Sequence, residues 1–246
     1  MNLSVNIKEL RLSTSTGEKE LLHDIKFSLK EKSIYTILGK NGSGKSTLIK
    51  SLSGLNDKRF YAVKGTILAD NLDVINASTK ELTKVIRVKI KYVFQDAINS
   101  FDPIRRLDYY FRRFKIDQNK SEELLKYFLL PSLKELKGMH PYELSGGMAQ
   151  RLSFVVAFLM DPELLILDEP TSGIDSAIAN LFLMKIKEFA DKEKKTILLV
   201  TQDMNFAESL GGFTAHISER TLSPFLKSAE YFKSENELFN KNRIFL

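Results

Sequence analysis

Val5 to Leu12 alternates apolar and polar residues, the period of a half-exposed antiparallel strand. Beyond it the pattern changes to short unbroken apolar runs separated by helical stretches. Ile34 to Leu38, Lys91 to Phe94, Leu164 to Leu167 and Thr196 to Val200 read as strands buried on both faces. Strands of that kind alternating with helices predict an α/β core with a parallel sheet. Lys45 to Leu52 reads as a helix stopped at Gly54. Strand signals vanish between Asp96 and Tyr142. There residues 103–115 and 121–130 read as helices, started by Pro103 and Ser121. The pattern predicts residues 1–95 and 151–246 as the core and 96–150 as a helical insertion. Ser223 to Leu246 is polar and aromatic and carries no motif.

Composition narrows the class. The chain has 246 residues, 43% apolar and 28% charged, which is ordinary for a globular domain. It has no cysteine, so disulfide frameworks and thiolate metal sites are excluded. The net charge of +6 is spread along the chain and makes no nucleic-acid patch. Arg105, Arg106, Arg112, Arg113 and Lys115, interleaved with Tyr109, Tyr110, Phe111 and Phe114, read instead as an amphipathic helix with its aromatics inward. The three histidines, His23, His140 and His216, show no ligand spacing and read as structural or surface residues. The start lacks an apolar secretory core, and the longest apolar run, Phe154 to Met160, is far short of a membrane span. Any membrane role therefore needs a partner.

Two segments carry chemistry. Gly39, Lys40, Asn41, Gly42, Ser43, Gly44, Lys45, Ser46 and Thr47 fit the P-loop pattern, placed after a strand and opening a helix. Glycines let the backbone curl so that its N–H groups face phosphate, and the helix N-terminus adds positive potential. Lys45 can then reach the β- and γ-phosphates of ATP, and the Ser46 hydroxyl can ligate Mg2+. The strand ending in Asp168 and Glu169 supplies one acid to hold Mg2+ and one to polarise the attacking water.

A third segment brings these together. Leu144, Ser145, Gly146, Gly147, Met148, Ala149, Gln150 and Arg151 resemble the LSGGQ signature of ABC-type ATPases, 24 residues before Asp168. Gln95 resembles the Q-loop glutamine of that family, and Ser172 to Asp175 its D-loop. The run from Phe94 to Pro103, with His140 to Glu143, is similar to the peptide/nickel/opine importer subfamily. The resemblance implies a RecA-like P-loop NTPase core with an antiparallel β subdomain and a helical insertion. It implies ATP and Mg2+ as cofactors, with Gln95 joining Ser46 and Asp168 at the metal and acting with Glu169 on the reacting phosphate. It implies a head-to-tail dimer in which Ser145, Gly146 and Gly147 contact the nucleotide held by the partner's P-loop. The partners implied are a membrane permease, a second ABC ATPase and, indirectly, an extracytoplasmic binding protein, with the chain peripheral on the cytoplasmic face.

The chain departs from the family at two places. An adenine-stacking aromatic is expected near Thr14, and no aromatic precedes His23. A γ-phosphate-sensing histidine is expected where Gln202 stands; glutamine can donate a hydrogen bond but cannot take a proton as imidazole can. These departures favour a heterodimer, with a homodimer as the other arrangement. They also keep open a regulatory nucleotide-binding subunit whose signature serves another chain.

Overall fold

The computed structural model describes residues 1–30, 32–114 and 117–243, with the side chains of residues 86, 87 and 236–243 excepted. β1 (Leu3–Thr14) and β2 (Gly17–Leu29) form a hairpin closed by the pair Thr14–Gly17. The alternation in β1 buries Leu3, Val5 and Ile7 and exposes the residues between. β3 (Ile34–Leu38) is buried throughout and leads through the glycine loop into α1 (Lys45–Leu52). β4 (Tyr61–Ala69) and β5 (Leu72–Asp73) complete a four-stranded antiparallel sheet ordered β2-β1-β4-β5. Gly65 sits where β4 crosses a register shift in β1. Its φ is 133°, and a Cβ there would stand 2.1 Å from the Asn6 carbonyl oxygen, so only glycine fits.

α2 (Thr79–Val88) starts at a capping box of Ser78 and Glu81 and returns the chain to β6 (Ile90–Val93). The helical part follows. α3 (Asp108–Arg113) is shorter than the helix expected over 103–115. Asp102 accepts the Ile104 N–H at 3.0 Å and the Leu107 N–H goes to the Met139 carbonyl at 2.9 Å, so these amides do not wind into a helix from Pro103. The expected inward packing of its aromatics holds for the buried Phe111 and for Tyr110, which is half-buried against the core with its ring edge-on to Phe101 at 5.1 Å. Tyr109 and Phe114 are exposed, with the Arg105 guanidinium 5.0 Å from the Tyr109 ring centre, and Lys115 lies outside the described residues. α4 (Gln118–Tyr127) begins before Ser121, because Asp117 caps the Lys120 N–H at 2.8 Å. The Ser121 hydroxyl bonds back to the Asp117 carbonyl inside the helix. α5 (Leu133–Gly138) has a second capping box, Ser132 with Glu135.

α6 (Gly146–Leu159) runs unbroken across residues 150 and 151, where the helical insertion was expected to end. It carries the chain into β7 (Leu164–Asp168). α7 (Ser176–Asp191), β8 (Thr196–Thr201), α8 (Met204–Leu210) and β9 (Phe213–Ser218) follow, each helix capped by an aspartate, Asp175 or Asp203. β10 (Thr221–Leu222), β11 (Leu226–Lys227) and α9 (Ser228–Arg243) end the fold. The last seats Tyr231 and Phe232 against Leu38 and Ala207 in the stretch that carried no motif.

β9, β3, β8, β7 and β6 run parallel in that spatial order. Successive residues of β7 and β8 feed opposite cores. Leu165, Leu167, Ile197 and Leu199 join the side that holds the helical part. Leu164, Ile166, Leu198 and Val200 join the side that holds α1 and the antiparallel sheet. Phe128, Phe154 and Phe182 knit the helical part to α6 and α7, the last two stacked at 4.2 Å. Burial on both faces accounts for the unbroken apolar runs, and the shared direction of these five strands places the loop after each of them at one edge of the sheet.

Candidate nucleotide site

The glycine loop leaves β3 at that edge. Gly44 adopts φ 96°, which turns the chain into α1, and a Cβ there would press on Leu22 at 3.1 Å. α1 has no side-chain cap, so its first-turn amides face the loop. Lys45 folds back into the same concavity. Its Nζ donates to the carbonyls of Gly39 at 2.7 Å and Lys40 at 3.1 Å, and only 5% of the residue is exposed. Lys40, Asn41 and Gly42 form the exposed outer wall, while Thr47 lies in the first turn with its carbonyl held by Asn56.

Asp168 ends β7, 2% exposed, with both carboxylate oxygens bonded. The Ser46 hydroxyl donates to Oδ1 at 2.7 Å and the Tyr92 hydroxyl to Oδ2 at 2.7 Å. Burial, with Asp168 next to it, pushes the Tyr92 pKa far up, so the phenol stays a donor. Sequence reasoning missed Tyr92; its one signal was a hydroxyl-bearing ring on β6 two residues before Phe94. Among the described residues no three His, Asp or Glu side chains gather as a metal cluster. A divalent ion here has hard oxygen donors in Ser46 and Asp168, the few-ligand pattern that suits Mg2+ shared with phosphates.

Glu169 lies one residue past the strand with φ 47°, a conformation the surroundings must enforce. Its N–H bonds to the Val200 carbonyl at 3.0 Å. Its buried carboxylate places Oε1 3.3 Å from Lys45 Nζ, an ion contact outside hydrogen-bond alignment, and Oε2 accepts the Gln202 N–H at 3.3 Å. The two acids thus separate by role: Asp168 faces Ser46, and Glu169 faces Lys45. The exposed Gln202 lines a cavity of about 960 Å3 with Gly39, Lys40, Asn41 and Ser43.

Gln95, exposed after β6, lines two hollows. One is a cleft of about 710 Å3 shared with Ser46, Asp168, Gly146, Gly147 and Ser172. The other is a cavity of about 260 Å3 over the loop from Asn41 to Thr47, also touching Glu169. Ser145 caps α6, its hydroxyl accepting the Met148 N–H at 3.3 Å, and does not line the cleft. A Cβ on Gly146 or Gly147 would meet nothing within 4 Å.

Thr14 does not reach the loop cavity: its hydroxyl donates to the Gly17 carbonyl at 2.7 Å and closes an exposed hairpin. The aromatic that lines this cavity is Tyr61 on β4, paired across the ladder with Leu12. It escaped notice because the pairing joins residues far apart in the chain.

A curled glycine loop on a helix N-terminus, a lysine in its concavity, and a serine hydroxyl on a strand-end aspartate define a P-loop nucleoside-triphosphatase cassette. The family model described as ABC transporter matches residues 22–172, and the chain belongs to that family. The oligopeptide transport ATP-binding protein OppD of Lactococcus lactis subsp. cremoris is 29% identical over 195 residues, 76% of this chain and 58% of that protein. The chain thus spans little more than half of that relative. The phosphate import ATP-binding protein PstB of Mycoplasma capricolum is 33% identical over 256 residues, covering 99% of this chain and 92% of that protein. The cbiO1 structure from Clostridium perfringens, part of the ABC transporter complex cbiONQ, superposes with a TM-score of 0.73 at 26% identity over 98% of this chain and 94% of its own. A dimeric post-hydrolysis structure of the ATP-binding cassette MJ0796 superposes with a TM-score of 0.78 at 23% identity, over 93% of this chain and 99% of its own, a likeness of fold alone.

Proposed function

We propose that this chain binds and hydrolyses ATP with Mg2+ as the motor subunit of an ABC importer. One observation carries the reading: Lys45 and Ser46 at the start of α1 converge with Asp168 and Glu169 at the end of β7 onto one concavity. The loop amides and Lys45 bind the phosphates. Ser46 and Asp168, with Gln95 beside them, hold the metal, which supplies neutralisation of developing phosphate charge when bound. Glu169 orients and polarises the attacking water, and Gln202 offers a hydrogen bond to the terminal phosphate. The side of the loop cavity bounded by Tyr61 and Leu12 takes the nucleobase.

Gly146 and Gly147 support a head-to-tail dimer. In the first turn of a helix they cost stability, yet open space surrounds them. Their smallness suits a group arriving from outside, here the nucleotide on a second ATPase together with Ser145. No helix among the described residues is long and apolar enough to cross a membrane. The transported molecule therefore passes through permease subunits, with this chain docked peripherally on their cytoplasmic face and a binding protein acting on the far side. Similarity to oligopeptide and dipeptide ATP-binding proteins supports a peptide as cargo, and similarity to PstB supports phosphate as the competing one. Nickel and opines rest on the subfamily resemblance alone. Purifying the chain with its co-encoded permease tests the reading: Mg2+-dependent ATP turnover stimulated by peptide-loaded binding protein is expected. Stimulation by phosphate alone would move the cargo, and no turnover in any assembly would leave the regulatory subunit that Gln202 favours.

A further inference from the structure

We propose that Tyr92 is a positioning residue for the metal site, its hydroxyl fixing the Asp168 carboxylate in the orientation that receives Mg2+. A carboxylate at a strand end can rotate about its last bond, and rotation would move the oxygen that faces the metal. Here rotation is blocked from both sides. Ser46 holds Oδ1, and Tyr92 holds Oδ2 at the same 2.7 Å. The Ser46 oxygen is itself a metal donor, so that contact must rearrange whenever a cation arrives. The Tyr92 contact need not, because its oxygen approaches the other side of the carboxylate.

The ring is well fixed for this task. β6 pairs in parallel with β7, setting Tyr92 opposite Ile166, two residues before Asp168. The Phe94 ring packs on it at 4.4 Å. Three residues further along the same segment Gln95 lines the cleft that Ser46 and Asp168 share. Tyr92 therefore ties the strand that leads into Gln95 to the carboxylate that holds the metal. Groups that orient a metal ligand without touching the ion typically govern about 10- to 100-fold in metal affinity.

The inference rests on the Mg2+-ATP reading, and the test separates the two. ATP affinity of the full chain is measured calorimetrically with Mg2+ and with EDTA, for the parent and for Tyr92→Phe, which removes one oxygen and keeps the ring. The parent is expected to gain affinity from Mg2+; no gain would overturn the metal reading itself. Tyr92→Phe is expected to bind ATP in EDTA like the parent, to lose about tenfold of the Mg2+ gain, and to need about tenfold more Mg2+ for half-saturation. High Mg2+ should then restore the parent affinity, which repair of a merely loosened core would not show. An unchanged Mg2+ gain, or equal losses in Mg2+ and EDTA, would overturn the role of Tyr92. Should Tyr92→Phe not fold, Tyr92→Leu, which also lacks the hydroxyl, carries the same expectation.

Discussion

Lys45 and Glu169 stand in ion contact at 3.3 Å, both side chains at least nine-tenths buried, at the point where the glycine loop meets the end of β7. On the proposed reading, a cation for the phosphates and an anion for the attacking water this close would share one substrate position. Replacing either should have distinct effects. Glu169→Gln keeps the volume and removes the base, so ATP should still bind while single-turnover hydrolysis at this chain's own site falls at least a hundredfold. Lys45→Ala leaves a buried carboxylate without its cation and removes a phosphate ligand, so ATP binding itself should fail. Equilibrium binding and single-turnover hydrolysis on the two variants check the division. Parent-like single-turnover hydrolysis at this chain's own site in Glu169→Gln would remove Glu169 from the chemistry.

Gly147 gives a test in which stability and activity move apart. A methyl there meets no neighbouring atom within 4 Å, and alanine in a helix is favoured over glycine by about 0.5–1 kcal/mol. Gly147→Ala should therefore melt no lower than the parent. It should nonetheless lose turnover, because the methyl intrudes where another chain's nucleotide must approach. Thermal melts beside steady-state ATPase assays decide it. Parent-like activity would mean that nothing docks on this face.

The base pocket makes a third case. Thr14 is an exposed hairpin residue, whereas Tyr61 borders the loop cavity. Base stacking on an aromatic is worth about 1–3 kcal/mol. Tyr61→Ala should weaken ATP about tenfold or more and blunt selection against other nucleotides, and Thr14→Tyr should change affinity by less than about twofold. Competition titrations with ATP and GTP settle it. Tight binding after Thr14→Tyr would return the base to the hairpin.

What the sequence made legible follows from which contacts are local. The strands Ile34–Leu38 and Thr196–Thr201 were readable because burial on both faces leaves an unbroken apolar run. The glycine loop was readable because one short segment must curl on itself. The helical part was harder: α3 starts late because Leu107 answers to Met139, a bond between segments that no local rule contains. Tyr92 and Tyr61 were invisible for the same reason. Each gains its place only from a neighbouring strand, β7 or β1.

Gln202 and the signature face different partners, and that separation sets the final prediction. Gln202 borders Lys40 and Asn41 of its own glycine loop, with its N–H on Glu169. Gly146 and Gly147 sit across the cleft on α6, in a helix whose Ser145 cap is intact. In a head-to-tail dimer these belong to two composite sites. On the proposed reading, a glutamine in place of imidazole would weaken only the site built on this chain's own loop. Losing one well-placed transition-state hydrogen bond typically costs about 10²–10³ in rate, part of which the glutamine amide recovers. A heterodimer with one slow and one fast site is then expected. Co-expression with the second ATPase, followed by mutation of the catalytic glutamate in each chain separately, measures the asymmetry. Glu169→Gln should leave most of the turnover, and the equivalent change in the partner should abolish most of it. Equal losses, or a fully active homodimer of this chain, would make the two sites equivalent and reduce Gln202 to a tolerated exchange.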